Sequence, residues 1–313
     1  MSDLRLSFKD RVSIITGAGG GIGRAYAIEL AKRGARVVVN DLGGAPDGSG
    51  SGNKRPADDV VHEIRQSGGE AVASYESVAT PEGGEQIVKT ALDAFGKVDI
   101  LINNAGILRD RSLIKLEPED WDVVIEVNLK GAYCVARPAF RVMKANNYGR
   151  IVLTSSAAAL YGNFGQSNYA AAKHGLIGLM NILKIEGAKH NVKVNTVAPA
   201  AVTRLTEALT PADLVQRQSV DHVVPMVTFL CSEQSEVTGN LYYAGMGVYK
   251  RAALVAASGV VLGKGRKPAS AEDIMDNFTA INSLEGAKTY STSAEYAADV
   301  YRAIGWNPPD EEV

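Results

Sequence analysis

Five short β-branched runs, separated by longer amphipathic stretches, predict a doubly wound α/β fold with a parallel sheet covered by helices on both faces. Two further observations support this class. The runs are almost continuously apolar, as strands buried on both sides must be. A glycine cluster also lies between the first run and the first helical stretch. Residues 11–16 (RVSIIT), 36–40 (RVVVN), 98–102 (VDILI), 150–154 (RIVLT) and 192–197 (VKVNTV) read as strands. Apolar residues recur at helical spacing through 23–33, 57–67, 82–95, 118–128, 133–145 and 169–190. Residues 43–57 (GGAPDGSGSGNKRPA) break the rhythm inside the domain and predict an exposed loop insertion. Beyond about Gly247 the alternation stops, and 270–277 (SAEDIMDN), with a serine N-cap and an acidic first turn, predicts a short helix. The expected organisation is one domain over 1–247 and a C-terminal extension, 248–313, packed on it.

Composition narrows the class of partner. A chain of 313 residues, 46% hydrophobic, can bury a large core. The net charge of -2 provides no basic field for nucleic acid or anionic lipid. No apolar run reaches the roughly 20 residues that span a bilayer, so neither a nucleic acid nor a membrane is an expected partner. The two cysteines, Cys134 and Cys231, lie in apolar surroundings and read as buried thiols rather than a disulfide framework. His62, His174, His190 and His222 have no metal-ligand spacing, and no metal is expected. Trp121 and Trp306 read as packing residues. The N-terminus lacks a signal peptide's order and the C-terminus lacks a peroxisomal tripeptide, so the cytoplasm is the expected compartment.

The chemistry starts at Thr16-Gly17-Ala18-Gly19-Gly20-Gly21-Ile22-Gly23, a strand–turn–helix junction. Glycines let the backbone approach a pyrophosphate, and the helix N-terminus offers free N–H groups and a positive dipole end. Asp41 ends the second strand 18 residues after Gly23, where an acid accepts hydrogen bonds from ribose hydroxyls and repels a 2′-phosphate. Leu42 follows where a basic residue would favour NADP, so a Rossmann-type site for NAD is expected.

Tyr169 and Lys173 are four residues apart, one turn along one helix face. A phenol of pKa near 10 needs a neighbouring cation to act as base at neutral pH. A solvated amphipathic face shows the same spacing, so the pair has to be read with its neighbours. Ser156 follows the strand 150–154, and Asn103, Asn104, Ala105 and Gly106 follow the strand 98–102, both at the ligand side of a parallel sheet. Asn128 lies within a helix or caps it before Gly131.

TGAGGGIG, Asp41, NNAG, Ser156 and Tyr169 with Lys173, in that order, resemble the short-chain dehydrogenase/reductase family over roughly 8–247. The resemblance implies an NAD-dependent oxidoreductase acting on a secondary alcohol or ketone. It implies Tyr169 as acid/base, Lys173 lowering the tyrosine pKa and holding the nicotinamide ribose, Ser156 orienting the substrate oxygen, and Asn128 holding a relay water. It implies cofactor contacts at Gly17, Gly21, Ile22 and Gly23, at Asn103, Ala105 and Gly106, at Ser77 and Val78 beside the adenine, and at Pro199 and Thr203. One departure stands at Ala200, where the family often has glycine.

Longer stretches, among them NNAGILRDRS and YGRIVLTSSAAALYGNFGQSNYAAAKHGL, are similar to the dehydrogenase part of multifunctional β-oxidation enzymes. That likeness implies a (3R)-hydroxyacyl-CoA substrate or, alternatively, a 17β-hydroxysteroid. With no hydratase segment following, a stand-alone enzyme is expected. The apolar stretches 133–145 and 171–183 suit a homodimer or homotetramer. Residues 157–165 and 203–222 are the expected substrate-binding segments. The 109–111 cluster and Lys264, Arg266 and Lys267 read as solvated loops rather than nucleotide-phosphate contacts. Ser156, Tyr169 and Lys173 together argue against a non-catalytic nucleotide-binding scaffold.

Overall fold

The computed structural model describes residues 5–50, 52–202, 215–263 and 267–306. Thr203 and most of the 203–222 segment, with Lys264 and Arg266, lie outside the described residues. Eight strands form one sheet: β1 (Val12–Thr16), β2 (Arg36–Asn40), β3 (Glu70–Ser74), β4 (Ile100–Asn103), β5 (Gly149–Thr154), β6 (Val192–Ala200), β7 (Leu241–Gly245) and β8 (Val248–Ala252). Their order is β3-β2-β1-β4-β5-β6-β7-β8, parallel except for the antiparallel β8. The chain winds outward from β1 to β3, then returns to place β4 on β1's other side. That reversal opens a crevice beyond the carboxyl ends of β1 and β4, the place where doubly wound folds bind ligand.

Helices α1 (Gly21–Lys32), α2 (Arg55–Gln66), α3 (Pro81–Phe95), α4 (Pro118–Ile125), α5 (Gly131–Ala145), α6 (Ala157–Tyr161), α7 (Ser167–Gly187) and α8 (Val224–Cys231) complete this part. Strand side chains alternate between faces. Ile15, Val37, Val39, Ile102 and Val152 therefore meet α1, α2 and α8, and Ile14, Val38, Leu101, Ile151 and Val194 meet α3, α5 and α7. Both faces are covered, as the unbroken apolar strands predicted.

A π turn at Glu126–Lys130 joins α4 directly to α5, and Asn128 sits inside it. Asn128 is thus interior to a helical run, not its terminal cap.

The sheet is larger than periodicity indicated. β3 (EAVAS) is alanine-rich, and α8 (VPMVTFLC) is apolar all round, so neither shows a decisive period. β7 turns into β8 through Met246 and Gly247, both at positive φ (53° and 75°), the backbone a two-residue hairpin requires. This edge strand extends the first compact unit to Ala252, beyond the expected limit at Gly247. The second unit, Ala253–Val313, contains α9 (Ala271–Asp276), α10 (Phe278–Ile281) and α11 (Ser293–Ala303). The helix expected at 270–277 is α9, closed by a capping box between Ser270 and Asp273.

Candidate active site

A cleft of about 310 Å³ opens at the carboxyl ends of the parallel strands. At one end the chain leaves β1 through Gly17 and Gly21, whose φ values of +63° and +54° suit glycine. The turn is pinned from β4's side. Thr16 Oγ1 accepts from the backbone N–H groups of Asn104 (3.0 Å) and Ala105 (3.1 Å). Asn104 Nδ2 donates to the carbonyls of Thr16 and Gly17, each at 3.1 Å. The first turn of α1 has no side-chain cap and no acidic residue. Its N–H groups are open to an anion, which fits the pyrophosphate of a dinucleotide.

Asp41 follows β2 and also lines the cleft. Its oxygens accept from the backbone N–H groups of Gly19 and Gly43, both at 2.7 Å, fixing the carboxylate beside the cradle. Each oxygen keeps an unused lone pair for a ribose hydroxyl.

The polar cluster stands on β5, α7 and the π turn. Ser156 caps α6, its Oγ accepting from Ala158 N at 3.2 Å. A hydrogen bond between the Ser156 and Tyr169 side chains favours the phenolate. Burial has the larger effect and raises the Tyr169 pKa, with the Asp110 carboxylate adding to the rise. Lys173 Nζ lies 5.7 Å from the Tyr169 ring centroid. Lys173 is buried, and burial lowers its pKa to about 8. In the chain alone the Tyr169 pKa therefore stands above its ordinary value rather than below it, because desolvation of the phenol outweighs the hydrogen bond from Ser156.

Asn128 Nδ2 donates to the carbonyls of Ile107 and Val124, each at 3.0 Å. Its Oδ1 is buried and has no hydrogen-bond partner among the described residues. A Cβ placed on Gly106 would stand 2.4 Å from that oxygen and 3.3 Å from Lys173 Nζ, so glycine keeps this corner open. An orphaned buried acceptor costs about 1–3 kcal/mol unless water or ligand meets it.

The cleft wall contains Gly17, Gly21, Ile22, Asp41, Ser77, Val78, Ala105, Gly106, Asn128, Ser156, Tyr169, Lys173 and Pro199. Two expected contacts are elsewhere. Gly23 lies behind the cradle, where a Cβ would meet Gly17 O at 2.3 Å, so it serves close helix–strand packing. Asn103 is buried behind the wall with Nδ2 donating to Ala132 O at 3.1 Å, and Asn104 takes the cleft side. Successive residues leaving a strand point oppositely, so both could not face the cleft. Ala200 continues β6 opposite Gly245 and has no positive φ. Ala45, Pro46 and Gly48 also line the cleft; the glycines in the insertion were the available signal.

A nucleotide cradle with a carboxylate fixed beside it, and a serine and tyrosine next to a buried lysine, all in one crevice, define an oxidoreductase that works with a nicotinamide cofactor. The chain belongs to the short chain dehydrogenase family, whose sequence model matches residues 11–214. It is 48% identical to peroxisomal multifunctional enzyme A of Dictyostelium discoideum over 99% of this chain and 68% of that protein. The full-length peroxisomal multifunctional enzyme type 2 of Drosophila melanogaster superposes with a TM-score of 0.81 at 38% identity. That match covers 96% of this chain and 50% of the Drosophila chain, so this sequence spans half of that structure. A short chain dehydrogenase from Mycobacterium avium superposes at 0.77 and 38% identity, over 90% of this chain and 97% of that one.

Proposed function

We propose that the protein oxidises the hydroxyl of a (3R)-3-hydroxyacyl-CoA to the ketone with NAD. One observation carries the reading: Ser156, Tyr169, Lys173 and Asn128 line the same cleft as Asp41 and the glycine turn. Asp41 supports NAD, because its charge repels a 2′-phosphate. The identity to enzymes named peroxisomal multifunctional supports the acyl-CoA.

A nicotinamide held in this cleft, with Lys173 beside its ribose, would supply the acceptor for the hydride that leaves the carbinol carbon. Tyr169 Oη takes the hydroxyl proton as general base. Ser156 Oγ donates to the reacting oxygen and holds it against the phenol. Lys173 and the open Oδ1 of Asn128 hold the water that carries the proton away. Fixed donors around that oxygen supply most of the acceleration.

A panel of (3R)-3-hydroxyacyl-CoAs and 17β-hydroxysteroids, each with NAD and NADP, tests this by absorbance of the reduced cofactor. The expected result is turnover of the thioesters with NAD. Faster steroid oxidation moves the assignment to a 17β-hydroxysteroid dehydrogenase, and no turnover with any secondary alcohol leaves a nucleotide-binding scaffold. Tyr169→Phe should bind NAD normally and lose turnover by at least about 100-fold.

Cytoplasmic residence is part of the same proposal, although two of the three relatives above carry peroxisomal names. Among the described residues no helix is long and apolar enough to cross a membrane. A homodimer or homotetramer through α5 and α7, which expose Tyr133, Ile182 and Ile185, is also proposed; a monomer by light scattering would reject it.

A further inference from the structure

The insertion after β2 also lines the cleft. Gly44, Ala45, Pro46 and Gly48 form part of its wall. Two hydrogen bonds carry the loop across to the segment following β4. Leu108 N donates to Pro46 O at 3.1 Å, and Arg109 Nε donates to Asp47 O at 2.8 Å. A Cβ on Gly48 would lie 2.8 Å from Ile107 Cδ1, so the contact is close. The loop is cinched at its base, where Asn53 N donates to Leu42 O at 3.0 Å. A strap held at β2 and again at 107–109 thus joins two parts of the cleft wall.

Arg109 joins this strap to the catalytic helix. Its Nη1 pairs with Asp120 of α4 at 2.9 Å. The buried Asn168 donates from Nδ2 to the carbonyls of both Arg109 and Asp120, each at 3.1 Å, and accepts from Tyr169 N at 2.7 Å. The planar guanidinium has separate N–H groups for the Asp47 carbonyl and the Asp120 carboxylate, a fixed fork that lysine lacks. An isolated surface arginine has no such partners.

We propose that Arg109 is a positioning residue that holds residues 43–50 closed over bound cofactor, so that release requires the Arg109–Asp47 and Leu108–Pro46 bonds to break. This rests on the nicotinamide-dependent reading above. The bond lost with the guanidinium is charge-assisted, so its removal has a measurable effect on release.

Stopped-flow displacement of NADH from the full chain tests it. Arg109→Ala should release NADH about tenfold faster than wild type. It should raise KM for NAD in parallel and leave KM for the alcohol near wild type, with Arg109→Lys restoring part of the difference. A folded Arg109→Ala that releases NADH at the wild-type rate overturns the proposal, whatever its melting temperature. If Arg109→Ala does not fold, a chain with 44–52 replaced by two glycines removes the strap without touching Arg109. Fast release from it supports the proposal and wild-type release overturns it. A wild type that binds neither NADH nor NADPH defeats the functional reading itself, and the strap with it.

Discussion

Lys173 is a stability liability that the site retains. It is 3% exposed, and burial lowers its pKa from 10.5 to about 8. Below pH 8 the folded chain holds a desolvated ammonium at a cost of about 3 kcal/mol. Between about pH 8 and 10.5 the unfolded chain binds more protons than the folded one, so this cost disappears as pH rises through that window. Lys173→Met should therefore unfold at higher urea than wild type at pH 7, with the gap closing towards pH 10.5, while turnover is lost. Tyr169 moves the other way: burial raises its pKa, so the base form is scarce at neutral pH. Alcohol oxidation should accelerate as pH rises into the alkaline range, and ketone reduction should slow. A pH-independent oxidation rate across that range would count against Tyr169 as the base. The spacing of Tyr169 and Lys173 was legible because it depends on one helix alone. The direction of the phenol's shift was not, because burial and Asp110 come from elsewhere in the chain.

Among the elements, the cradle shows how local signals and packing share the work. TGAGGGIG announced a strand–turn–helix junction, and the turn is there. Which glycine does what depends on neighbours 80 residues away: Gly23 lies 2.6 Å, measured from an added Cβ, from Asn104 Nδ2. Gly23→Ala should cost about 1–3 kcal/mol by overpacking and weaken NAD binding by displacing the turn. Calorimetry with and without NAD would check both; an alanine variant with native melting and affinity would contradict this packing. The five β-branched strands were legible, whereas β3, β7, β8 and α8 were not. EAVAS and LYYAG lack a β-branched majority, and a helix buried on every side has no polar stripe to reveal its period. The π turn that aims Asn128 at the cleft left no signal, since a single-turn widening leaves the apolar spacing nearly intact.

Across the molecule, burial separates the two compact units. Unit Met1–Ala252 contains both apolar clusters. No described residue of 253–306 is buried, and Leu254, Met275, Phe278, Leu284 and Ile304 are exposed. A segment that buries so little apolar surface cannot offset its conformational entropy. The peptide 253–313 alone should show no cooperative thermal transition by circular dichroism; a sigmoidal melt would disprove this.

Fold class, nucleotide cradle and the phenol–ammonium pair were all readable from the chain, because each depends on a period or a spacing within one element and its turn. Three features emerged only from the folded arrangement: Asn104 rather than Asn103 facing the cleft, the desolvation that raises the tyrosine pKa, and the fork of Arg109 between Asp47 and Asp120. Each depends on groups far apart in sequence, and hydrogen-bond geometry and local dielectric exist only once the packed core has brought those groups together.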